Sequence, residues 1–168
     1  MCLIQKQETC RELLTLWVGL AREARLVYYA YSGTLLGVMR HRDFVPWDDD
    51  VDLCVDASDM QRFMQLPLPA DVQLHPSPKG ACYRLTLDGR AGFVDLFPVT
   101  VSEGMVQYSL AAARELFPQD TAPEGDVFPL RSGQFGDFCL PIPRRSERCL
   151  ERMYGDWRSP VVYAPHGE

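Results

Sequence analysis

The chain has 168 residues, 46% of them apolar and 24% charged, a balance that fits a soluble globular protein and excludes a disordered chain. A formal net charge of −6 and a pI near 5.1 exclude the broad basic face that a nucleic-acid backbone binder needs, so no nucleic-acid partner is expected. Nucleotides remain open as ligands if a metal and a few local cations supply the positive field.

The length suits one core, and residues 1–168 are expected to form a single compact domain. No internal repeat, low-complexity tract or long linker divides them. The apolar stretch 13–30 is interrupted by Arg22, Glu23 and Arg25, so no transmembrane segment is expected, and no signal-peptide layout is present. The default compartment is cytoplasmic, with an upstream anchor left open. Six cysteines (Cys2, Cys10, Cys54, Cys82, Cys139, Cys149) form no CxxC pair and have no zinc-like spacing, which points to free or buried thiols.

In chain order, Leu13, Trp17, Leu20 and Ala24 recur at helical spacing and predict a helix over 9–24, with Thr9 and Glu12 placed as a capping box. The aromatic run 27–31 predicts a buried strand. Ser32-Gly33-Thr34 follows as a turn into a short helix over 35–40, where free backbone N–H groups receive a phosphate and Gly33 allows close approach.

Four aspartates then crowd into five positions, Asp48, Asp49, Asp50 and Asp52, between the turn signal Val45-Pro46-Trp47 and a strand carrying Val51, Leu53 and Val55. Two carboxylates roughly 4 Å apart repel by about 4 kcal/mol at an effective dielectric of about 20, and a divalent cation relieves that repulsion. A period of two sets Asp50 and Asp52 on one face and the three apolar side chains on the other. Two carboxylates so placed suit Mg²⁺ or Mn²⁺ together with substrate phosphate oxygens.

Further along, 58–66 reads as a helix closed by Pro67 and Pro69, and 72–75 and 83–87 read as strands, the second turning at Asp88-Gly89. Residues 93–97 form an apolar strand interrupted by Asp95, with Pro98 at its end. A short helix over 109–117 is followed by loop-like sequence over 118–125, and Gly104 also reads as loop. A strand over 138–142 and a helix over 144–154, stopped by Gly155 and later Pro160, complete the chain.

The block Ser32-Gly33-Thr34-Leu35-Leu36-Gly37 through Val45-Pro46-Trp47-Asp48-Asp49-Asp50-Val51-Asp52-Leu53 resembles the signature of the LicD family. That family includes bacterial phosphocholine transferases and resembles the fukutin and fukutin-related ribitol-phosphate transferases. Phe93-Val94-Asp95-Leu96-Phe97-Pro98 is similar to its second acidic strand, and Phe128-Pro129-Leu130, Pro141 to Pro143 and Tyr154-Gly155-Asp156-Trp157 to its C-terminal element. The resemblance implies an α+β fold, a nucleotidyltransferase-like mixed β-sheet flanked by helices. It implies metal held by Asp50, Asp52 and Asp95, donor phosphates at Ser32, Gly33 and Thr34, and glycan modification by a phosphorylated alcohol taken from a CDP-linked donor. The stretch 104–125 is short beside larger relatives, so the donor half is the better covered.

For the neighbouring residues the sequence offers two roles each. Arg40 and Arg42 either bind phosphate or pair with Asp48 and Asp49. His41 is a base or a surface residue, and Trp47 stacks on a base or a choline-like cation, or packs the loop. Asp95 is a ligand or a satisfied buried acid. Two other functions fit the same acidic site: a non-catalytic nucleotide- or metal-binding module, and nucleotidyl transfer from a nucleoside triphosphate with release of pyrophosphate.

Overall fold

The computed structural model describes residues 2–159. Helix α1 spans Leu3–Ala24 and buries Leu13, Leu14, Trp17 and Ala21. It starts earlier than the apolar period suggests because its first turns are occupied with polar partners. Lys6 Nζ meets Asp49 Oδ2 at 2.6 Å, and Gln7 Nε2 donates to the Asp48 carbonyl at 2.8 Å. Thr9 therefore caps nothing: its hydroxyl donates to the Gln5 carbonyl inside the helix. Glu12 pairs with Arg90 instead.

Strand β1, Tyr28–Ala30, leads directly into α2, Ser32–Arg40. Ser32-Gly33-Thr34 is thus the first turn of the helix itself, entered through Ser32 at φ +49°, and not a separate connection. Strand β2 covers Val51–Asp56. Val51, Leu53 and Val55 are all fully buried, as the alternation predicts. Asp56 then accepts from the backbone N–H groups of Ser58 and Asp59 and caps α3, Ala57–Phe63, which ends before the predicted 66.

Strands β3, Val72–Pro76, and β4, Tyr83–Leu87, form a hairpin beside β5, Phe93–Ser102. Pro98 does not end β5. Its carbonyl accepts from Ser109 N, so its nitrogen faces the same side. There the β4 pairing has stopped at Leu96 and the next pairing begins at Val99, and the missing N–H forfeits no ladder bond. After Glu103 and Gly104, at φ +52° and +73°, the chain returns as β6, Met105–Tyr108. Positive φ at both turn residues matches a two-residue hairpin turn, and this strand was not foreseen.

Helix α4, Ala111–Leu116, is shorter than expected. The loop-like 118–125 holds a 3₁₀ turn at Pro118–Asp120, the two-residue strand β7, Ala122–Pro123, and the start of α5, Glu124–Val127. Strand β8, Arg131–Phe135, pairs with β9, Phe138–Ile142, and α6, Ser146–Tyr154, stops at Gly155 with φ +66°. Pro160, expected beyond it, lies outside the described residues.

The main sheet runs β1-β2-β5-β4-β3, with β6 joined to β5 and β7 to β6. Among the described residues only β2 and β5 pair in parallel, so the sheet is mixed and the protein α+β, as expected. Helices α1 and α3 lie on one face, where Trp17 meets Phe63 edge-on with ring centroids 4.7 Å apart. Among the described residues no helix is long and apolar enough to cross a membrane.

Candidate active site

Parallel pairing of β2 with β5 sets Asp52 directly beside Asp95, and Val51 beside Val94. Asp50, one step before β2, shares the face of Asp52. The result is a group in which one oxygen each from Asp50, Asp52 and Asp95 lie within 4.8 Å of one another. Asp48, Asp49 and Asp50 form a second such group. The three carboxylates named from the sequence are therefore brought together.

Electrostatics in the group are strained. Burial, then the charges of Asp48 and Asp95, push the Asp50 carboxyl up to about 8. Burial and the neighbouring Asp50 and Asp95 also raise Asp52 well above the carboxylate range, against a hydrogen bond from Ser32. Asp95 is only 6% exposed and has a dedicated partner. Arg84 Nε and Nη2 each donate to one of its oxygens at 2.8 Å. The same guanidinium lies 3.4 Å above the Phe93 ring centroid, so its plane is clamped from two sides. Asp95 is thus both a satisfied acid and a member of the cluster. Nothing in the run 83–87 singled out Arg84; only the pairing Arg84↔Asp95 across β4 and β5 makes it visible.

Beside the acids, a cavity of about 250 Å³ is lined by Ser32, Gly33, Arg40, Trp47, Asp50 and Tyr154, among others. Ser32 and Gly33 enter it from the first turn of α2, and Ser32 Oγ lies 3.2 Å from the Tyr154 hydroxyl. The sequence places Tyr154 at the end of a helix over 144–154; packing of α6 against α2 carries it to the cavity. A Cβ at Gly33 would sit 2.5 Å from Asp48 Oδ2, so a side chain there would have to displace that carboxylate from the cavity wall.

Thr34 is placed differently from expectation. It is 2% exposed, and its hydroxyl accepts from Asp52 N at 2.8 Å, so it anchors β2 rather than facing the cavity. Arg40 lines the cavity, whereas Arg42 is exposed at φ +55° and its carbonyl accepts from Gly136 N. His41 sits exposed at the end of α2. The cation that pairs with Asp49 is Lys6 from α1, not Arg40 or Arg42. Trp47 is 38% exposed at the cavity wall.

Residues 25–145 match the family model described as LicD/FKTN/FKRP, nucleotidyltransferase domain. An uncharacterised Rickettsia prowazekii protein, RP689, is 27% identical over 99% of this chain and 59% of its own length. Human ribitol 5-phosphate transferase FKRP is 29% identical over 92% of this chain and 32% of its own. The Haemophilus influenzae lipopolysaccharide cholinephosphotransferase LicD is 33% identical over 39% of this chain and 25% of its own. The chain thus spans less than two thirds of these relatives. Among solved structures, the lincosamide antibiotic adenylyltransferase LnuA aligns with a TM-score of 0.53 at 14% identity, covering 83% of this chain and 82% of that one. That likeness establishes a nucleotidyltransferase fold.

Proposed function

This chain belongs to the LicD family, and from that premise we propose that it is a metal-dependent transferase. It would move a phosphorylated alcohol, phosphocholine or a polyol phosphate, from a CDP-linked donor to a glycan hydroxyl. The observation that carries the reading is the convergence of Asp50, Asp52 and Asp95 beside the first turn of α2.

The donor set fits a hard divalent ion. Only carboxylate oxygens converge, and burial followed by the neighbouring carboxylates raises Asp50 and Asp52, a crowding that a divalent cation would relieve. Asp50, Asp52 and Asp95 would hold Mg²⁺ or Mn²⁺. When bound, such an ion neutralises donor phosphate charge and polarises the attacking hydroxyl.

The remaining work falls to the chain's own residues. Backbone N–H groups at Ser32 and Gly33 face the donor phosphates with the positive end of α2 behind them, and Arg40 adds a guanidinium to the same cavity. Trp47 offers a ring for a base or a choline cation. Arg84 keeps the Asp95 carboxylate in one orientation. In the transfer, the acceptor oxygen bonds to the phosphorus of the alcohol phosphate and the bond from that phosphorus to the CMP oxygen breaks. CMP departs with the bonding pair, and the hydroxyl proton passes to a carboxylate of the site.

The single-domain organisation of residues 1–168 is part of this proposal, supported by one apolar core that includes residues from Cys10 to Trp157. A cytoplasmic location is supported by all six cysteines being free thiols.

The test is CMP release from CDP-choline or CDP-ribitol in Mg²⁺. Asp50→Ala, Asp52→Ala and Asp95→Asn should each lower turnover by at least about 100-fold. Pyrophosphate released from a nucleoside triphosphate would replace the proposal with nucleotidyl transfer. CMP binding with no turnover on any donor would replace it with a non-catalytic module.

A further inference from the structure

A second cavity, again about 250 Å³, reaches the acid cluster at Asp95 and is lined by Lys79, Cys82, Arg84, Asp95, Phe97 and Phe117, with four further residues. The first cavity touches Asp50 and Asp52, whereas the second touches Asp95. A narrow cleft of about 30 Å³ that includes Ser32, Asp52, Phe97 and Phe117 shares lining residues with both, so the two cavities are neighbours along the acid cluster.

The walls of the second cavity differ in character. Leu116 and Phe117 are 43% and 36% exposed, large apolar side chains left open beside a charged site. Phe117 is steadied edge-on by Phe97, ring centroids 6.2 Å apart. The same cavity is lined by Arg84 and by a turn bearing the exposed Lys79. That turn is built rigidly: Gly80 N donates to the Ser77 carbonyl at 2.8 Å, and Ser77 Oγ accepts from the Ala81 and Cys82 amides at 3.2 Å. An exposed aromatic ring and cationic donors lining one cavity match a pyranose, which has a C–H face and a hydroxyl edge.

We infer that this second cavity is the acceptor subsite and that it takes a sugar, its C–H face on Phe117 and its hydroxyl edge toward Lys79 and Arg84. The inference rests on the transferase reading above. A transfer between two ligands requires the acceptor oxygen to approach the phosphorus opposite the leaving group. Two cavities that reach the acids through different carboxylates, Asp50 and Asp52 in one and Asp95 in the other, give each ligand its own place.

The experiment is a ¹⁵N chemical-shift titration of the full chain in Mg²⁺. CMP serves as donor probe, and methyl α-glucoside and methyl β-galactoside, at up to tens of millimolar, as acceptor probes. CMP should shift the amides of Ser32, Gly33 and Trp47, which reports on the donor assignment alone. At least one glycoside should shift Lys79, Ala81 and Phe117. Both Phe117→Ala and Lys79→Ala remove exposed side chains, and each should weaken that glycoside response by at least about tenfold while the CMP shifts persist. Glycoside shifts that survive both variants, or no glycoside shift at these amides, overturn the acceptor assignment. Loss of the CMP shifts with the glycoside shifts intact overturns the donor assignment and leaves the sugar site standing.

Discussion

Arg84→Met removes the partner of Asp95 while keeping much of the side-chain volume. Both Asp95 oxygens lose a charge-assisted bond of 2.8 Å, and the carboxylate stays buried at 6% exposure. Breaking a buried pair from one side costs about 3–5 kcal/mol. The Arg84 side chain is 22% exposed, so some water reaches the pair and the expected loss lies near the lower end, about 3 kcal/mol. For a chain of this size that is a fall in melting temperature of roughly 6–12 °C. Guanidinium titration in EDTA measures the free energy, and a melt with and without Mg²⁺ measures its dependence on the ion. Because the variant leaves Asp95 uncompensated, Mg²⁺ should stabilise it by a larger increment than it stabilises the native chain. A loss under about 1 kcal/mol would mean that Arg84 does not hold Asp95. Equal Mg²⁺ increments in the two proteins would mean that Asp95 does not meet the ion.

In EDTA, stability should fall as pH rises from about 4 to about 8. Asp50 is held at about 8, so the folded chain retains a proton that the unfolded chain releases above about 4. Asp50→Asn should flatten that slope in urea titrations, and an unchanged slope counts against a crowded Asp50. Gly33→Val drives a side chain into Asp48, whose Oδ2 lies 2.5 Å from the Cβ position. It should weaken CMP binding by at least about tenfold in calorimetry; native affinity would place the donor elsewhere. Asp126→Ala removes the common partner of Arg145, Arg148 and Arg152, which ties α5 to α6. Those arginines are 31–60% exposed and can rehydrate, so urea denaturation should show a loss of about 2 kcal/mol, and a loss under about 0.5 kcal/mol would refute the tie.

Much of this site is legible in the linear chain because its determinants are local. The alternation of Val51, Leu53 and Val55 with Asp52 specifies a strand with one apolar and one acidic face, since neighbouring side chains point oppositely whatever the strand pairs with. Asp95 among Phe93, Val94, Leu96 and Phe97 marks a second acidic strand for the same reason, and the resemblance of the Ser32–Leu53 block carried the family and the fold. Tertiary structure decided the rest. The start of α1 at Leu3, before its apolar period, depends on Lys6 and Gln7 reaching the acidic loop. The passage of β5 through Pro98 depends on a change of neighbour from β4 to β6 at that step. Thr34 turned inward because Asp52 N lay within its reach. Arg84 and Tyr154 joined the site through register and helix packing, from positions 34 and 104 residues beyond Asp50. A strand's own sequence specifies which face each side chain takes, but not which residue of which other strand will stand opposite; that depends on pairing across the sheet, where the Arg84–Asp95 contact is made.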